Sequence, residues 1–192
     1  MNLTALSMLQ IAIFIAIAVV IAAGVAISVV VRKRRTARLR NQFGGAEYTR
    51  AVREGGSQQK AEAALDGRTE RVERLHIRPL GPGDRARFIE TWRRVQARFV
   101  DGPGGAVTDA DQLLGDVLST RGYPVGDFEQ RAADISVDHP LVLENYRAAH
   151  DSALRQARGQ ASTEDLRQAM IHYRTLFEEL VVEPEMARAH SA

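Results

Sequence analysis

Residues 11–31 read IAIFIAIAVVIAAGVAISVVV, apolar on every side of a helix and without a charge. At 1.5 Å per residue the run is about 31 Å long, close to the ~30 Å hydrocarbon core of a bilayer. A helix buried in a soluble domain is rarely apolar on all faces for so long, so a membrane span is expected. The rival is a cleaved signal peptide, which wants a positive start and a shorter apolar core. Here no Lys or Arg precedes the run, and the weak cleavage site GVA at 24–26 is followed by more apolar residues.

The pattern changes after residue 40. Apolar positions become sparse over 41–75 (Phe43, Tyr48, Val52, Leu65, Val72 and Leu75), and glycine pairs fall at 44–45 and 55–56. This predicts a polar stalk of one or two helices with a bend near Gly55, since paired glycines loosen a helix. So thin a stripe predicts a stalk that packs on a partner or projects as a spacer. Pro79, Gly81, Pro82 and Gly83 then mark a linker over 76–83.

Strong helical periodicity begins at 84. Phe88, Trp92, Val95 and Phe99 make one stripe over 84–100, with arginines on the other face. Val107, Ala110, Leu113, Leu114, Val117 and Leu118 make the next over about 106–120, stopped by Gly122 and Pro124. Val142, Tyr146, Ala149 and Ala153 predict a third helix over 141–157, with Asp138 or His139 as its cap, Pro140 in its first turn and Gly159 after its end. Leu166, Met170, Tyr173, Phe177 and Leu180 predict a fourth, opened by a capping box from Ser162 to Asp165. A short helix capped by Asp127 is expected inside 121–140. No alternating β-branched run appears after Val31. The fold class is therefore all-α: one transmembrane helix, a polar helical stalk, and a bundle of four main helices plus one short helix over 84–182. Residues 1–10 form a short N-terminus and 183–192 a tail.

Charge sharpens the topology. Arg32, Lys33, Arg34, Arg35, Arg38 and Arg40 follow the apolar run at once, over 32–40. By the positive-inside rule they place the body in the cytoplasm and the N-terminus outside, in a single pass. They also face the lipid headgroups, as a topology determinant or as a site for anionic lipid. The net charge of +2 hides a strong asymmetry: 18 Lys/Arg against 8 Asp/Glu over 32–100, and 8 against 16 over 101–192. Arg87, Arg94 and Arg98 form a basic face on the first bundle helix, for a partner or for the acidic second half. Nucleic acid is not expected, because no basic helix with interleaved exposed aromatics is present.

Catalytic patterns are missing. Cysteine is absent, which excludes disulfides, thiol nucleophiles and Cys-ligated metals. No HExxH, GxSxG, Walker-type loop or dinucleotide fingerprint occurs. No cofactor is expected. The densest polar stretch, RGYPVGDFEQRAADISVDHP at 121–140, reads mainly as a structured joint, with Asp138 and His139 as its weak candidate site.

RGYPVGDFEQRAADISVDHPLVLENYRAAH and STEDLRQAMIHYRTLFEELV, with the anchor and its basic flank, resemble a group of bacterial, largely actinobacterial, single-pass membrane proteins with a C-terminal helical cytoplasmic domain. The resemblance covers most of the chain, implies a fold and a location, and brings no catalytic residues. The leading expectation is a membrane-tethered, non-enzymatic interaction module whose partners are the bilayer and another protein or a second copy. Small residues spaced by four (Ala18, Ala22 and Ala26; Gly24 and Ser28) suit pairing in the membrane. The rivals are a membrane-bound enzyme or metalloprotein using Asp138, His139, His150 or His172, and a sensor of anionic lipid or polyanions using the basic segments.

Overall fold

A computed structural model describes the backbone of residues 3–182 and the side chains at 14, 16, 17 and from 19 onward. Seven helices follow one another, with no strand among the described residues: α1 (Leu3–Gly55), α2 (Gln58–Glu73), α3 (Pro82–Arg98), α4 (Pro103–Arg121), α5 (Phe128–Asp138), α6 (Leu143–Ala157) and α7 (Thr163–Phe177). A 3-10 turn (Pro140–Val142) leads into α6, and a π-helical turn (Glu178–Val182) extends α7.

The bundle of α3, α4, α6 and α7 is built on the apolar stripes. Phe88, Trp92 and Val95 of α3 meet Val107, Leu114 and Val117 of α4 and Tyr173, Leu176 and Phe177 of α7 in one core. Trp92 stacks on Phe177 with ring centroids 5.1 Å apart. Burial at this density contributes about 1.5–3 kcal/mol per large side chain. α5 closes one side through Ala132 and Ile135.

Local chemistry sets the helix ends. Ser162 and Asp165 form the reciprocal capping box at the start of α7, and Asp127 accepts from the Gln130 amide to start α5. α4 ends at Gly122 (φ 100), where the Tyr123 and Gly122 amides reach the Leu118 and Ser119 carbonyls. This paired closure favours glycine. Gly122 is also pressed from outside: a Cβ there would lie 2.5 Å from the His76 carbonyl oxygen. The connector between α2 and α3 is stitched down beside it by the Arg78 amide on the Arg121 carbonyl, 2.8 Å.

The start of α6 departs from the sequence reading. Neither Asp138 nor His139 caps it; His139 precedes the 3-10 turn without a side-chain cap bond. Both side chains are engaged elsewhere, and Pro140 opens the 3-10 turn instead of the first turn of α6.

The larger departure is in α1. Gly44 takes φ 75, ψ 159, outside helical space. A straight helix would hold Thr36 and Tyr48 about 18 Å apart. Yet both hydroxyls donate to the same Glu62 Oε1, at 2.6 and 2.9 Å. The arm after Gly44 therefore folds back on the arm before it. A second break at Gly55 and Gly56, the latter at φ 69, leads into α2. The result is a three-arm cluster around Leu39, Phe43, Tyr48, Ala51, Ala61 and Leu65. The 41–75 segment thus packs within the chain instead of projecting as a spacer. It buries its thin stripe against itself and against α5 of the bundle.

Among the described residues no helix is long and apolar enough to cross a membrane. The expected span at 11–31 lies within α1, and its side chains at 11, 12, 13, 15 and 18 lie outside the described residues. The tail at 183–192, with His190, also lies outside them.

Candidate functional site

Three polar constellations emerge. The first lies on α1 just after the apolar run. Asp66 of α2 accepts from Arg35 Nε at 2.9 Å and from Arg38 at 2.8 Å. Arg40 lies over the Tyr48 ring, 5.0 Å from its centroid. Arg32, Lys33 and Arg34 are exposed and have no ion-pair partner among the described residues. The basic cluster is therefore divided. Two arginines face α2 and share the Asp66 carboxylate, and the other four cations have no carboxylate partner among the described residues.

The second constellation is a knot around Glu62. Its buried carboxylate accepts from Thr36 at 2.6 Å, Tyr48 at 2.9 Å and Gln58 at 2.9 Å. Burial works against its charge, but the three donors and the nearby Arg35 outweigh it and hold the carboxyl below its ordinary value. Tyr48 is pushed the other way, by burial and by its bond to Glu62. A seam joins the knot to the bundle. Glu47 accepts from Arg68 at 2.6 Å and lies 3.7 Å from Arg147. Arg147 also binds Glu129 of α5 at 2.7 Å. Arg71 of α2 pairs with the fully buried Asp134 of α5, with Nε 2.8 Å from Oδ1. A cleft of about 320 Å³ opens where Gly44 and Glu47 face Leu141, Glu144 and Arg147.

The third constellation lies inside the bundle. Asp111 of α4 accepts from Tyr173 of α7 at 2.8 Å. His150 Nδ1 of α6 lies 3.6 Å from the same oxygen. Burial again opposes the Asp111 charge, and His150 and Tyr173 outweigh it, keeping that carboxyl low. Tyr173 is driven up by burial and by Asp111; burial raises Tyr146 to about 12. The His150 ring stacks on Phe128 at 3.7 Å, which covers one of its faces. The network orients three core helices around one carboxylate.

The candidates read from the sequence fall in separate places. Asp138 accepts from the Tyr123 hydroxyl at 3.0 Å. His139 Nδ1 lies 2.9 Å from Glu179 Oε1. His172 Nδ1 lies 2.7 Å from Asn145 Oδ1. These partners differ from one another and from that of His150, so the four side chains form no common pocket. Among the described residues no group of three or more His, Cys, Asp or Glu is placed to hold a metal ion. On the basic face of α3, Arg87 binds Asp84 of its own helix at 2.9 Å and Arg94 binds Thr91 at 3.1 Å, while Arg98 pairs with Asp109 of α4. Arg94 and Arg98 line an open groove of about 350 Å³ between the two helices.

Glu47, Glu62, Asp66, Arg68, Arg71 and Arg147 were not singled out from the sequence. Their partners lie from 14 residues away, for Tyr48 on Glu62, to 100, for Arg147 beside Glu47; only the Gln58 bond to Glu62 is local. No family model, curated protein or solved structure matches the chain.

Proposed function

We propose that the protein is a single-pass, membrane-tethered helical interaction module without enzymatic activity, its N-terminus outside and its body on the cytoplasmic face of the cell membrane. One observation carries the tether. Ten large apolar side chains between Phe14 and Val31 are exposed along α1, Phe14 by 71% and Val20 by 70%, in a run without charge. An exposed apolar surface of this extent on one helix calls for lipid or another protein. Arg32 to Arg40 then follow on the side that the positive-inside rule keeps in the cytoplasm. The body supports the module reading through its open grooves and its isolated polar networks, each of which is engaged in packing helices. The other partner is a second protein or another copy of the chain.

Sodium carbonate extraction of membranes tests the tether. The full chain is expected in the pellet, and recovery in the wash overturns it. A reporter fused after Ala192 is expected to work only when cytoplasmic; activity outside the membrane reverses the topology.

A further inference from the structure

The divided basic cluster carries a more specific consequence, which rests on the tether reading above. Arg32, Lys33, Thr36, Arg40 and Asn41 recur at helical spacing on one face of α1, and Gln58 closes the face from α2. They line an open cleft of about 450 Å³. Its walls are fixed. Gln58 donates to Thr36 Oγ1 at 2.9 Å, and the same amide nitrogen donates to Glu62. Arg40 is held over Tyr48, whose hydroxyl is pinned by Glu62. Three cations thus surround neutral hydrogen-bonding side chains, and none of the three has a carboxylate partner among the described residues.

The depth is also informative. Arg32 follows the last apolar residue, Val31, directly, and Thr36 lies about 7.5 Å beyond Val31 along the axis. The headgroup layer is about 5–7.5 Å thick on each side of the hydrocarbon. Cα–Cβ bonds in a helix tilt toward its N-terminus, which is here the bilayer side, so the side chains of Arg40 and Asn41 start back toward the headgroups, and Arg40 is long enough to reach toward them.

We propose that this cleft binds the phosphate of an anionic phospholipid headgroup, and that Asp66 limits its strength by holding Arg35 and Arg38 on the opposite face. Each cation near an anionic surface changes affinity about fivefold. Replacing Arg32, Lys33 and Arg40 together weakens binding about 100-fold on that scale. Asp66→Asn adds one net positive charge and releases two arginines, so it tightens binding about fivefold or more.

The test uses the full chain in neutral detergent, titrated with phosphatidylglycerol and with phosphatidylcholine and read by native mass spectrometry. The wild type is expected to retain phosphatidylglycerol preferentially, R32Q/K33Q/R40Q to lose the preference, and D66N to strengthen it. R40Q is expected to weaken retention at least as much as R34Q. A diffuse field of charge gives the reverse order, because Arg34 lies nearer the bilayer and outside the cleft; that order overturns the proposal. So does equal retention of the two lipids by the wild type, weaker retention by D66N with unchanged helical circular dichroism, or displacement of phosphatidylglycerol by inorganic phosphate, which would mark a site for free anions. Carbonate extraction from vesicles of phosphatidylcholine alone separates the two readings. Resistance there, with equal lipid retention in detergent, overturns the cleft and leaves the tether standing. Loss of resistance overturns both.

Discussion

Removing Arg71 puts the seam between α2 and α5 to a quantitative test. Asp134 is fully buried and paired to Arg71 through Nε at 2.8 Å; its other donor, Gln130, stands at 3.3 and 3.4 Å. Arg71→Met keeps the aliphatic stem and deletes the guanidinium, leaving a buried carboxylate with two long bonds. Breaking a buried pair from one side costs about 3–5 kcal/mol. The Arg71 side chain is 39% exposed, so water reaches the vacated place. That lowers the cost to about 2–3 kcal/mol. With the loss falling on docking, exchange of amides over 128–138 and at Arg78 speeds up about 30- to 150-fold. Hydrogen exchange with mass spectrometry on the full chain reads this, with α4 and α7 as internal controls. The decisive arm is Arg71→Met with Asp134→Leu. Replacing both partners removes the stranded charge, and exchange is expected to return most of the way to that of the wild type. Additive losses in the double variant, or acceleration of less than about twofold in Arg71→Met, would refute the argument that the pair holds α2 on the bundle.

Further outcomes follow from the same geometry. Gly122→Ala is expected to lower the thermal midpoint far more than Gly159→Ala. Both glycines have positive φ, worth about 1–2 kcal/mol, but only Gly122 would also drive a Cβ into the His76 carbonyl; Gly159 faces open space. Ser162→Ala removes the cap of α7 and is expected to cost about 1 kcal/mol in urea denaturation. Glu62 and Asp111 have folded values below their ordinary 4.5 and 3.8, so their unfolded forms bind protons first. The stability they lend is present above those values and is lost as pH falls through them toward the lower folded values. Glu62→Gln with Asp111→Asn is expected to flatten an acid-unfolding profile in that window; an unchanged slope contradicts the assignment.

The helices of the bundle were legible because each needs only its own stripe and its own ends. Ser162 with Asp165, Asp127, Gly122 and Gly159 are local signals, and all four occupy helix termini. What escaped was non-local. Gly44 and Gly45 promise a loosened helix, but nothing in FGGAE specifies that the chain reverses there. Reversal is decided by Leu39, Phe43, Tyr48, Ala61 and Leu65 finding one another. A stripe too thin for one helix suffices when three arms share it. Asp138 and His139 misled for the opposite reason. Their residue types suit a cap, but Tyr123, 15 residues back, and Glu179, 40 residues on, compete for them. Asp134 looked like spare polarity in a joint until Arg71 arrived from 63 residues away.

The reversal at Gly44 also sets a ruler. Drawn out as one straight helix, residues 32–73 would span about 63 Å and hold the body far above the bilayer. Folded into three arms, the longest of which is the 16-residue α2, the same chain spans about 24 Å. On the tethered reading, the module works as a short-reach device. It meets partners that lie flat on the membrane or end near it, and tall complexes whose contact surfaces stand higher pass overhead untouched.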